Sequence, residues 1–150
     1  MLKAPEIEEW LQAEIFRIYE HNSYGKYLGM EIVKLTPSEV AVSMKARKNL
    51  MNIFGGLHGG AITSLADMVM GLACASIGKR IVTLGMNINF IYAANLDATV
   101  IAYAKITHRD HTTVIAEFSV FDQDTDHLLA KGRGTFFIIG SIETHIPLPE

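Results

Sequence analysis

The sequence predicts an α+β domain in which a curved, six-stranded antiparallel sheet wraps one long helix. Three observations carry that prediction. Residues 60–76, GAITSLADMVMGLACAS, are apolar nearly all the way round, so a helix there must be buried on most faces. Two extended runs precede this segment and four longer ones follow it, each alternating in polarity. The breaks between the later runs, AANLD, RDH and DQDTD, are short and polar, which predicts that neighbouring strands pair antiparallel.

Each element has its own signal. Ile7, Trp10, Leu11, Ile15, Ile18 and Tyr19 recur at helical spacing after Pro5, predicting an N-terminal amphipathic helix over about 5–21 that ends in the stop signal HNSYG. LGMEIVKLTPSEVAVSMKARKNL then reads as a hairpin turning at Thr36-Pro37-Ser38, with Val40, Val42 and Met44 alternating against Glu39, Ser43 and Lys45. The central helix is placed at about 59–76. In IVTLGMNINFIY the residues Val82, Leu84, Met86, Ile88, Phe90 and Tyr92 fall on one face, and ATVIAYAKITH, TTVIAEFSVFDQ and HLLAKGRGTFFIIG complete the sheet. A closed barrel with a helical plug is the alternative packing.

Composition narrows the functions open to such a domain. A chain of 150 residues makes one domain. It is 49% hydrophobic and 19% charged, with a net charge of −3. No block of Lys or Arg could track a phosphate backbone, which argues against a nucleic-acid partner. The single Cys74 cannot form an intramolecular disulfide, which fits a reducing, cytoplasmic setting. Glu6, Glu8, Glu9 and Glu14 are out of place in a signal peptide. The stretch from Ile53 to Ile77 is long enough to span a bilayer, but Asp67 near its middle would cost a few kcal/mol there, so no span is expected. His108 and His111 lack a third ligand at a supporting spacing, so no metal is expected.

Asp67 is the only formally charged residue between Met51 and Gly78. At about 100° per residue it shares a helical stripe with Gly60, Ser64 and Gly71, with Thr63 beside them, while Leu65, Met68, Val69 and Leu72 serve the packing. A carboxylate among such neighbours carries a desolvation cost unless it is hydrogen-bonded or opens on a cleft. Local hydroxyls satisfying a structural carboxylate is the plainer reading. The run GGLHGG ahead of the helix shifts the balance, because it exposes backbone N–H groups at the positive end of the helix dipole, suited to a developing oxyanion. Neither GxGxxG followed by a βαβ unit nor a Gly-Lys-Ser/Thr ending is present, so the loop is no nucleotide cradle. Donors and a carboxylate together describe an acyl site. Gly59 and Asp67 lie about 12 Å apart along the helix, too far to touch one carbonyl. A symmetric dimer with antiparallel helices would bring the donors of one chain to the carboxylate of the other.

The pattern Asn52-x-x-Gly55-x-x-His58-Gly59-Gly60, followed by Asp67 nine residues after His58, resembles the hotdog-fold acyl-CoA thioesterases, in the branch acting on phenylacetyl-CoA and medium- to long-chain acyl-CoA. The similarity runs from about Leu28 to Gly140 and leaves out the N-terminal helix. It implies hydrolysis of an acyl-CoA thioester in a homodimer or dimer of dimers, with no cofactor because coenzyme A is part of the substrate. It implies that the Gly59 N–H polarises the carbonyl, helped by Gly60, and that Asp67 of the partner subunit acts as general base or nucleophile. Asn52 would orient water or the carbonyl. The family commonly places a hydroxyl three residues before the Met-Asn pair, here Thr83; against a serine, its extra methyl would slow the reaction or narrow the pocket. His58 and Ser64 stand among the substrate-binding positions, with a turn histidine bonded to backbone as the plainer role of His58. Arg109, His111, Lys131 and Arg133 are candidate cations for the coenzyme A phosphates, against a reading as solvated surface charges. Met68, Met70 and Met86 would line an adaptable acyl pocket or fill the core. The competing functions are a non-catalytic acyl-CoA binding module and a hydratase or dehydratase. Both aryl and straight-chain acyl groups fit the sequence.

Overall fold

The computed structural model describes Lys3 and residues 5–149. Its first helix, α1 (Glu9–Glu20), buries Leu11, Glu14 and Ile15. The helical segment does not stop at HNSYG. The Asn22 side chain accepts from the Gly25 N–H at 3.0 Å and starts a second, short helix, α2 (Ser23–Leu28), which ends at Gly29 in the left-handed conformation. A residue that breaks one helix by bonding its backbone can cap the next, so the stop signal is a corner.

Strands β1 (Glu31–Thr36) and β2 (Glu39–Lys45) form the expected antiparallel hairpin, with Ser38 at φ 69° in the turn. After a single 3₁₀ turn at Lys48–Leu50 comes the central helix α3 (Gly59–Ser76), within the predicted bounds. Strands β3 (Lys79–Phe90), β4 (Thr99–Arg109), β5 (Thr113–Asp122) and β6 (Leu128–Ser141) complete one six-stranded sheet in the order β1-β2-β4-β5-β6-β3. Every neighbouring pair is antiparallel.

One expected pairing fails. The AANLD break does not join β3 to β4 as a hairpin; β3 pairs with β6, from Lys79↔Ser141 to Phe90↔Ala130, and β4 pairs with β2. The cause is α3, which crosses the sheet after β2 and returns the chain at the far edge. The open side of β2 is then left for β4, and β3 becomes an edge strand.

The helix fills the concave face, as its composition requires. Leu65, Ala66, Val69, Met70, Ala73 and Cys74 lose all solvent contact against Val42, Val100, Val114, Val120 and Phe136 of the sheet. Truncating one such side chain, Leu65→Ala, is expected to cost about 2–5 kcal/mol. The helix is long and apolar enough to cross a membrane, yet 56% of it is buried inside the protein. Its less buried stripe carries Gly60, Thr63, Ser64, Asp67, Met68, Gly71 and Ala75. The helices α1 and α2 approach that stripe: Ile15 and Ile18 line one cavity with Asp67, Met68, Gly71 and Ala75, the Nδ2 of Asn22, the cap of α2, donates to Met68 Sδ, and the Tyr24 hydroxyl meets Ser64 Oγ at 2.6 Å.

The predicted single face of β3 is also broken. The register shifts between Thr83 and Gly85, a bulge that leaves Leu84 outside the ladder. Ile81 packs inward before the bulge and Met86 and Ile88 after it, while Val82, Leu84 and Phe90 are exposed. One inserted residue reverses the parity of a strand, so Thr83 turns to the helix side.

Candidate active site

The glycine loop is built around Asn52. Its Oδ1 accepts from the N–H groups of Phe54 at 2.8 Å and Gly56 at 3.0 Å, and its own N–H donates to the Gly56 carbonyl at 2.7 Å. Gly55 takes φ 83°, which suits glycine and strains any other residue. Asn52 therefore holds the loop's shape, a role the motif spacing did not distinguish from direct contact with water or carbonyl.

His58 is the N-cap of α3, with its Nδ1 accepting from the Gly60 N–H at 2.8 Å. Its carbonyl takes the N–H groups of Ala61 and Ile62 at 2.9 and 3.2 Å. With the His58 N–H donating to the Leu50 carbonyl at 2.9 Å, and the Ile62 bond being the first regular one of the helix, three of the four donors that a helix start leaves open are satisfied. Among the described residues, the Gly59 N–H alone of these has no acceptor. The Gly60 N–H, expected to help polarise a carbonyl, is already given to the His58 ring. A Cβ on Gly59 would lie 3.4 Å from the Phe90 ring, so the helix start is backed by an aromatic wall.

Two turns further along, half-buried Asp67 accepts a hydrogen bond from Thr83 Oγ1 at 2.8 Å on its Oδ1. The β3 bulge makes this contact possible. The pair opens into a cavity of about 510 Å³ lined by Ile15 and Ile18 of α1, Met68 and Gly71 of α3, and Ile146 and Leu148 of the C-terminal tail. That volume is in the range of small-molecule sites, about 300–1,000 Å³. Asp67 carries its negative charge toward the core as well: burial, then the Asp67 field, pushes the Cys74 thiol up to about 12.

The remaining predicted positions scatter. Ser64 Oγ donates to the Gly60 carbonyl at 2.9 Å and Thr63 Oγ1 to the Gly59 carbonyl at 2.8 Å, so both hydroxyls serve the helix start. Arg109 and His111 line a separate recess with Lys79, Asp110 and Ile138. Arg133 and Lys131 lie on the convex face in another cavity, where the register sets Glu39, Lys105, Glu117 and Arg133 side by side across four strands with alternating charge. Such a row is ordinary cross-strand pairing. Within one chain the structure does not bring Arg133 to Asp67. Met68 lines the Asp67 cavity, whereas Met70 is fully buried core and Met86 packs against that core.

The cavity walls from α1 and the tail, and the cations Lys79 and Arg80 beside it, were missed from sequence. A signal existed for one of them. Glu14 interrupts the apolar face of α1 as Asp67 interrupts α3, and it is buried.

A lone helix-start donor, a hydroxyl-bound carboxylate on the same helix and an apolar cavity, set in a sheet curved around that helix, define a hotdog-fold thioester site. The chain belongs to this class: the family model described as the Thioesterase superfamily matches residues 54–128. Its similarities place it in the PaaI-like branch. It is 28% identical over 127 residues to the acyl-coenzyme A thioesterase PaaI of Escherichia coli K12, covering 85% of this chain and 90% of that protein. The solved E. coli PaaI structure, from the phenylacetic acid degradation operon, superposes with a TM-score of 0.85 at 25% identity, covering 91% of this chain and 98% of that one. A thioesterase protein of Streptococcus pneumoniae TIGR4, described as hypothetical and solved with coenzyme A, has a TM-score of 0.74 at 29% identity, covering 77% and 92%.

Proposed function

We propose that this protein hydrolyses acyl-CoA thioesters to the free acid and coenzyme A, at a site completed by two copies of the chain. The Gly59 N–H of one copy binds the thioester carbonyl oxygen, where negative charge develops on attack. Asp67 of the other copy deprotonates water for that attack, or itself attacks to form a mixed anhydride that water then hydrolyses to the free acid; on either route the thiolate of coenzyme A leaves. The Thr83 hydroxyl holds the Asp67 carboxylate in place through one oxygen. No cofactor enters this scheme, because coenzyme A arrives with the substrate.

The observation that carries the reading is the Asp67–Thr83 hydrogen bond at an apolar cavity, with one donor left open at the start of the same helix. The S. pneumoniae protein has been solved with alanine at an aspartate and at a threonine sixteen positions apart, the separation of Asp67 and Thr83. The homodimer rests on exposed apolar surface. Ile53 and Phe54, on the glycine loop, are 92% and 89% exposed, and Leu84 on the edge strand β3 is 62% exposed. An apolar edge strand invites a second copy, and two β3 edges pairing about a two-fold axis would set two α3 helices antiparallel. A dimer of dimers extends the same reading, and lone, buried Cys74 supports a cytoplasmic setting.

Release of free coenzyme A thiol from a panel of aryl and straight-chain acyl-CoAs, on the wild type and Asp67→Asn in parallel, tests the proposal. Turnover lost in the variant alone supports it. Thioester binding without thiol release from either protein points instead to a binding module.

A further inference from the structure

The Asp67 cavity is lined in part by segments of the chain, α1 and the C-terminal tail, that lie outside the residues matched to the family. Beyond Ile142, whose N–H donates to the Gly78 carbonyl at 2.8 Å, no backbone-to-backbone hydrogen bond holds the tail among the described residues. Side chains of α1 hold it instead. The Ile146 N–H donates to Glu14 Oε1 at 3.1 Å, and Arg17 Nη2 donates to the Ile146 carbonyl at 2.5 Å. The two side chains are joined by bonds of 3.1 Å from Arg17 Nε and 2.5 Å from Arg17 Nη2. Both polar groups of the Ile146 backbone are therefore satisfied by one ion pair.

That clamp seats Ile146 and Leu148 against the cavity. The tail enters beside Gly78, at the far end of α3 from the glycine loop, and Leu11 approaches the same residue. From Asp67 the cavity follows Gly71 and Ala75 along two turns of α3, about 12 Å, with Ile15 and Ile18 facing them. Gly71 leaves room along the way: a Cβ there would meet no atom within 4 Å.

We propose that Glu14 and Arg17 determine which acyl groups the enzyme accepts, by holding the C-terminal tail as the end wall of an acyl channel that runs from Asp67 between α1 and α3. The inference rests on the acyl-CoA reading above and names its substrate class: straight acyl chains whose length is matched to the clamped tail. Glu14 and Arg17 touch no reacting atom and act as positioning residues through Ile146. The Arg17 guanidinium holds the Glu14 carboxyl down to about 2, so the clamp stays charged near neutral pH.

The test compares kcat/KM for butyryl-, octanoyl- and palmitoyl-CoA on the wild type and on full-length variants whose fold is checked by circular dichroism. Arg17→Ala and Ile146→Ala should raise the palmitoyl-to-octanoyl ratio by about tenfold, and Gly71→Leu, which fills the channel, should lower it by a similar factor. Arg17→Lys, which keeps the charge, should restore part of the wild-type ratio. If the wild type turns over substrate but the ratios do not move in these opposite directions, the end wall is wrong and the thioesterase reading stands. If no thioester is hydrolysed, the thioesterase reading fails. The affinities of S-butyl-, S-octyl- and S-hexadecyl-CoA thioethers, measured by calorimetry on the same variants, then decide the channel. An order of affinity that the variants leave unchanged overturns it.

Discussion

Thr83 Oγ1 donates to Asp67 Oδ1 at 2.8 Å, joining an edge strand to the one charged residue of the central helix. The contact exists because the bulge at Leu84 turns Thr83 toward the helix. It fixes the orientation of a carboxylate that would otherwise rotate about two side-chain torsions. Thr83→Ser keeps the hydroxyl and should keep turnover, whereas Thr83→Val removes it and should lower kcat by about 10-fold or more. Steady-state kinetics on the two variants decides this. Equal kcat for serine and valine would leave the hydrogen bond without a catalytic role.

Gly59→Pro isolates the open donor. Proline suits the first position of a helix and lacks the N–H, and His58 before it already has φ −62° and ψ 136°, as a residue before proline requires. The variant should fold with little change in Tm and lose about 10²–10³-fold in kcat. A folded, fully active variant would falsify the oxyanion role of this N–H.

Leu84→Lys tests whether the site is shared. The side chain is exposed in one chain, so the monomer fold should survive a charge there. Sedimentation should show a shift toward monomer, and specific activity should fall with it. An active monomer would show that one chain suffices.

The Glu14–Arg17 pair predicts acid sensitivity. Folding lowers the Glu14 carboxyl from 4.5 to about 2, so its ionised form stabilises the fold fully above pH 4.5 and that contribution is lost as pH falls through about 2. Between those values the Tm of the wild type should fall more steeply with pH than that of Glu14→Gln. Parallel slopes would show that the pair adds nothing to stability.

Cys74 is buried, and its thiol is pushed up to about 12, chiefly by burial. A thiol held neutral and out of solvent should be inert to iodoacetamide in the native protein at pH 8 and should react at once in guanidinium. Labelling followed by mass spectrometry reads both states. Rapid native labelling would mean that α3 opens far more often than its packing implies.

Periodicity, glycine spacing and a misplaced carboxylate were enough to find the central helix, the strands, the curved-sheet class and Asp67. These are local properties, set by which side chains each turn or pleat must bury. Strand adjacency was legible only in part, since the short break after Phe90 reads as a hairpin although α3 has already carried the chain to the opposite edge. The HNSYG corner failed for a related reason: one Asn can end a helix or begin one, and only the packing of Tyr24 and Met68 decides which.

By itself, then, the sequence determined the elements, the buried helix and the chemistry on its exposed stripe, because each follows from neighbours within a few residues. Tertiary structure alone decided that β3 lies at the edge and that a one-residue bulge aims Thr83 at Asp67. It also decided that Ile146 meets Glu14 and Arg17, 132 and 129 positions earlier in the chain, beside the cavity. Contacts of that kind depend on where the chain returns in space, and no periodicity records them.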